Sequence, residues 1–231
     1  MDALLAHIDL QDVVALLFFI GCWMGYAYHT QHTKSEGLVA VTNRFRLQWM
    51  RQMLKRENRS VDAIIIGNLM RSITFSANTS IFILAGLLGM LSYREKVGEI
   101  ISAIPFAKPM TPVMWEVKMF LLIIIFVYAF FKYTWALRQQ NYTSIMVASA
   151  PLDTELGEHT QHDEHARKAA FLAGKAAEHF NNGLRAYYFG IAVLAWFIHP
   201  TFFMIATALV VYVTQKREYR SHTLQRLLTD A

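Results

Sequence analysis

Residues 61–93 form one apolar stretch into which Asn68, Arg71, Ser72, Thr74, Ser76, Asn78, Thr79 and Ser80 are set. An amide or guanidinium in hydrocarbon costs kilocalories unless it meets a protein partner or water, so this stretch constrains fold and function together. At 55% hydrophobic, 17% charged and mean hydropathy +0.27, the chain is too apolar for an ordinary soluble domain. It reads as a membrane protein built as a single all-α domain over residues 1–231, a polytopic helical bundle.

Lys+Arg 22 against Asp+Glu 17 leaves a basic balance. The cations flank apolar runs, so they read as topology signals and anchors to the anionic inner leaflet, and nucleic acid is not an expected partner. Cys22 is the one cysteine, which excludes an internal disulfide and a cysteine metal cluster.

A span needs about 20 mostly apolar residues to cross ~30 Å of hydrocarbon. Five candidate spans follow, at about residues 12–28, 73–91, 119–135, 186–199 and 201–213. The last two are short, and His199-Pro200 between them is either a tight hairpin or a kink in one tilted helix. The hairpin is preferred, because the combined run 186–213 would be long for one span and four spans would put the basic tail outside; all 5 prolines then fall outside helices.

The cations set the orientation. None precedes Lys34, whereas Asp2, Asp9 and Asp12 do, which places the N-terminus outside. Lys34, Arg44, Arg46, Arg51, Lys55, Arg56 and Arg59 mark the connection over about 30–60 as cytoplasmic. Lys132, Arg138, Arg167, Lys168, Lys175 and Arg185 do the same for about 137–180, and Lys216, Arg217, Arg220 and Arg226 for the tail 216–231. An N-out, C-in chain satisfies all of these biases. A cleaved signal peptide is not expected, since no positive segment precedes the first apolar run.

Leu38, Val41, Phe45, Trp49 and Met53 recur at helical spacing and predict an amphipathic cytoplasmic helix. Asn58 can end it, Ser60 can cap the next helix, and Asp62 suits that helix's first turn. Arg71 then falls near the inner boundary, as a snorkelling anchor or as a buried, paired arginine.

The second span carries Asn68, Ser72, Ser76 and Ser80 at i, i+4 spacing, with Arg71 and Thr79 alongside. Such a row either lines a water path or packs tightly against a neighbouring helix. Asn68-Leu69-Met70-Arg71, followed by Phe75, is echoed by Asn182-Gly183-Leu184-Arg185, followed by Phe189. A parallel internal repeat would leave that trace.

His159, His162 and His165 lie among Glu155, Glu158, Asp163 and Glu164 and are weak candidates for a metal site. Their spacing drifts around a helix, and an exposed acidic loop explains the composition as well. No metal or other cofactor is expected. His29, His32, His179 and His199 stand at span ends, in no pair spaced to sandwich a haem. The chain has no Walker loop, dinucleotide turn, nucleophile elbow or His-Glu-x-x-His motif, so no enzymatic activity is expected. Glu116 and Lys118 read as snorkelling charges at a span end.

Ile66-Gly67-Asn68-Leu69-Met70-Arg71-Ser72 and Asn182-Gly183-Leu184-Arg185-Ala186-Tyr187-Tyr188-Phe189 resemble the signature segments of an uncharacterised family of multi-pass bacterial membrane proteins, domain of unknown function 599. The resemblance covers most of the chain, from the first span to the start of the tail. It implies helical spans in a bacterial inner membrane and no activity, so it carries over no site residue.

Two functions fit these residues best, ahead of a membrane enzyme. The first is a homo-oligomeric passive conduit for an ion or small solute, lined by the row on the second span. The alternative is a non-catalytic accessory or scaffold subunit associated with other membrane subunits.

Overall fold

In a computed structural model, residues 9–32, 37–103, 107–108, 111–151 and 159–229 are described, apart from the side chains of Gln31, Ser102, His159, Thr160, Gln161 and Thr229. Among them the fold is all-α, without a strand. The helices are α1 (Leu10–His32), α2 (Leu38–Leu54), α3 (Ser60–Met90), α4 (Arg94–Ser102), α5 (Pro112–Ala148), α6 (His159–Trp196), α7 (Pro200–Tyr219) and α8 (His222–Thr229). A single 3-10 turn, Leu91–Tyr93, joins α3 to α4.

Among the described residues, three stretches are long and apolar enough to cross a membrane: Leu10–Thr30, Ser60–Ile101 and Pro112–Ala148. These mark the chain as a membrane protein. The other two candidate spans, 186–199 and 201–213, fall in α6 and α7, which do not reach that length and apolarity together.

Starts and stops follow local chemistry. The backbone N–H of Ser60 donates to Asn58 Oδ1 at 2.9 Å, so Asn58 rather than Ser60 supplies a side-chain acceptor where α3 begins. Pro112 and Pro200 are the first residues of α5 and α7, not outside helices as expected. A first helical position needs no N–H, which proline lacks. Pro105 and Pro109 lie outside the described residues.

The chain divides into two compact units. The first comprises Met1–Ser35, Ser80–Ala129 and Leu184–Arg217. Its core is aromatic: the rings of Trp23 and Phe189 stack at 4.8 Å, Phe19 meets Phe189 edge-on at 5.6 Å, and Trp196 stacks on Phe203 at 4.8 Å. The Trp196–Phe203 stack sits beside the α6–α7 turn. Farther along, Arg217 Nη1 donates to the Tyr188 hydroxyl at 2.9 Å. Contacts at both places run α7 back along α6, so His199-Pro200 is a hairpin turn.

The second unit comprises Glu36–Thr79, Phe130–Gly183 and Glu218–Ala231. Met50, Met53 and Leu54 of α2 pack there with Ile66, Val147, Ala166, Ala169 and Ala173. Of the predicted stripe, Val41 and Met53 are buried and Leu38 and Trp49 half-buried, Phe45 alone is 42% exposed, and Met50 and Leu54 complete the buried side of α2.

Gly183 marks a close approach in this unit. A Cβ built on it would lie 2.6 Å from Cε1 of Tyr133, whose ring is fully buried. Gly183→Ala is therefore expected to lower stability by about 1–3 kcal/mol, read as an earlier thermal melt of the purified chain. An unchanged melt would mean that Tyr133 has room to move.

Candidate functional site

The row on α3 does not occupy one surface. An α-helix turns 100° per residue, so an i, i+4 row advances about 40° at each step. The packed face of α3 is Ile66, Ile73, Ala77, Ser80 and Leu87. Asn68, Arg71, Ser72, Thr74 and Asn78 are exposed, Ser76 and Thr79 are half-buried, and Ser80 is fully buried. The row starts on the open side and ends inside.

Its inner end is tied down. Ser80 Oγ and the Tyr187 hydroxyl form a 2.8 Å hydrogen bond, and the Tyr187 ring meets Phe126 edge-on at 5.2 Å. Ser76 and Thr79 donate to the carbonyls of Ser72 and Phe75, at 3.1 and 2.8 Å, which satisfies them within the helix.

Its outer end is open. Among the described residues, Asn68, Arg71 and Asn78 have no side-chain partner, so Arg71 is not the paired, buried arginine of the two expectations. Gly67, Gly86 and Gly89 also have open space where a side chain would stand. By helical register Asn68, Arg71, Asn78, Gly86 and Gly89 share the side of α3 away from its packed face, together with Phe75 and Phe82, which are 73% and 76% exposed.

The second Asn/Arg element sits differently. Arg185 Nη1 approaches Thr30 Oγ1 at 3.4 Å, and its guanidinium lies 5.2 Å from the Tyr26 ring centroid, a cation–π contact. Asn182 is half-buried and engaged. Phe189 is 1% exposed where its counterpart Phe75 is open. The two elements share residues without sharing surroundings.

The histidine cluster is occupied by other bonds. His165 Nε2 lies 2.8 Å from the Met146 carbonyl, which requires a proton on that nitrogen. Asp163 accepts from Arg167 Nε at 2.6 Å and Arg51 Nε at 2.7 Å. Those bonds, Arg167's first, hold its carboxyl below the ordinary aspartate range. Lys168 likewise lowers Glu164. Glu155, Glu158 and the side chain of His159 lie outside the described residues. Among those described, no three histidine, cysteine or carboxylate side chains are grouped to hold a metal.

Two buried polar clusters escaped sequence reasoning. In the first unit, Asp12 accepts a hydrogen bond from the Trp196 indole Nε1 at 2.7 Å. Lys118 Nζ donates to the Trp196 carbonyl at 2.8 Å and lies 3.9 Å from Asp12 Oδ1, while Lys108 Nζ lies 3.6 Å from Asp12 Oδ2. Lys118 is 5% exposed, which corrects its reading as a snorkelling charge. Glu116, two residues away, is exposed, because i and i+2 point to different sides of a helix.

In the second unit, Asp62 is fully buried in the first turn of α3. Its Oδ1 accepts from the Trp49 indole at 2.6 Å and from Arg56 Nη1 at 2.8 Å. Both clusters repeat one design, an aspartate in a helix's first turn that holds an indole N–H and a cation.

These features define an all-α membrane protein with polar groups held inside by aromatic partners and one polar helix side left open. The family model for a protein of unknown function, DUF599, matches residues 14–223, and the chain belongs to that family. Neither a curated protein nor a solved structure matches the chain.

Proposed function

We propose that this protein is a multi-pass protein of a bacterial inner membrane, N-out and C-in with five spans, that assembles with copies of itself into a passive conduit for an ion or small solute. The observation that carries this reading is the open side of α3. Asn68, Arg71 and Asn78 stand exposed there beside glycines, on a helix otherwise apolar enough to span a membrane. Amides and guanidinium left against lipid are costly, and a second copy of α3 removes that cost. An amide is both donor and acceptor, so Asn68 and Asn78 are self-complementary across a symmetric contact. The glycines allow close backbone approach. Around a shared axis the same groups can replace the hydration shell of a passing ion. Anionic lipid of the inner leaflet is the expected surround of the basic connections.

The test uses Asn68→Cys, Ser72→Cys and Asn78→Cys, each with Cys22→Ser. These thiols are expected to react with a membrane-impermeant reagent and to cross-link between copies on oxidation, while Ser80→Cys stays protected behind Tyr187. Asn78→Phe, on the open side, is expected to abolish flux in reconstituted liposomes. Protection of all three thiols together with absence of flux for monovalent ions would overturn the conduit.

The burial of Ser80 favours a second reading. A continuous pore lining would stay open along its length, whereas this row closes at one end. The open part then serves as the docking side of an accessory or scaffold subunit, and cross-linking to other membrane subunits without flux would select it.

A further inference from the structure

Where α3 gives way through the 3-10 turn to α4, the chain and the start of α5 enclose a cleft of about 720 Å³. Four charges line it: Arg94 and Lys96 from the start of α4, with Glu95 between them, and Glu116 from α5. All four are exposed, and none is paired with another side chain among the described residues. The Trp115 side chain also lines the cleft. It is 3% exposed, yet its indole Nε1 has no hydrogen-bond partner among the described residues. Leu91 and Phe120 supply an apolar wall, and Phe120 is 54% exposed.

We propose that this cleft binds the headgroup of a zwitterionic phospholipid carrying a primary ammonium. Two cations suit one phosphodiester. Two carboxylates beside them suit an ammonium, and a ligand with phosphate alone would leave these unanswered. Leu91 and Phe120 run beside the acyl chains, each within a stretch apolar enough to span the membrane. Lipid here is independent of how the open side of α3 is used.

The full chain is purified in detergent and offered mixed micelles doped with phosphatidylethanolamine, phosphatidylcholine or phosphatidylglycerol of identical chains, with retained lipid counted by native mass spectrometry. Phosphatidylethanolamine is expected to be retained about tenfold over the other two. Arg94→Gln combined with Lys96→Gln is expected to lose about tenfold. Glu116→Gln is expected to erase the preference over phosphatidylglycerol while total retention persists. Circular dichroism keeps loss of binding distinct from loss of fold. Equal retention of the three lipids, or retention unmoved in the folded Arg94→Gln, Lys96→Gln variant, would overturn the assignment. So would soluble glycerophosphoethanolamine that competes as tightly as the intact lipid, since Leu91 and Phe120 would then hold no chain.

Discussion

Asp12→Ala is expected to lower the stability of the chain by about 3–5 kcal/mol, the cost of removing one partner from a buried charge pair. Asp12 is 5% exposed. Its loss strips the Trp196 indole of its acceptor and leaves the buried Lys118 with the Trp196 carbonyl as its remaining close oxygen. Asp12→Asn keeps an oxygen for the indole while discarding the charge, and is expected to fall between wild type and Asp12→Ala. Removing both charges, as Asp12→Leu with Lys118→Met, is expected to recover most of the loss, because a well-packed apolar pair often matches a buried ion pair. Thermal melts of the four proteins in one detergent check the order. A double variant melting below Asp12→Ala would show that the two side chains do not act as a pair.

The parts of this fold legible in the sequence are those set by local period and punctuation. The apolar runs around residues 12–28, 73–91 and 119–135 become the three stretches able to span a membrane. The start of α3 at Ser60 follows from Asn58 and Asp62 in a few consecutive residues, and the turn at His199-Pro200 follows from proline chemistry.

What faces what was less legible. An i, i+4 row looks like one stripe in a sequence and winds over a helix, so Asn68 ends up exposed and Ser80 buried on the same element. The Asp12–Trp196 bond joins residues 184 positions apart, a separation at which composition and spacing carry no signal. Glu116 and Lys118 misled for the opposite reason. They are neighbours in sequence, and the helix sends one outward and the other into the core. A first-turn aspartate was the available sign of both buried clusters. In the sequence it marks a helix terminus at Asp62 and an outside N-terminus at Asp12, and local spacing points to an indole partner at neither.

Asp62→Ala is expected to cost about 3 kcal/mol, since hydrogen bonds to a charged group contribute about 1.5–3 kcal/mol each and this carboxylate accepts two, from Trp49 and Arg56. The loss should be asymmetric within the cluster. Asp62 is fully buried, whereas the Arg56 side chain is 45% exposed, so water can take over for the guanidinium but not for the Trp49 indole. Arg56→Ala is accordingly expected to cost about 1–2 kcal/mol, because water entering where the guanidinium stood only partly replaces it at the fully buried carboxylate. Asp62→Asn is expected to fall between them: its oxygen still serves Trp49, but the amide carries no charge to favour the N-terminal turn of α3. Denaturant or thermal unfolding of the three variants, followed by the Trp49 environment in fluorescence, checks the order. An Arg56→Ala loss as large as that of Asp62→Ala would mean that the ion pair, and not the buried indole bond, holds α2 to the start of α3.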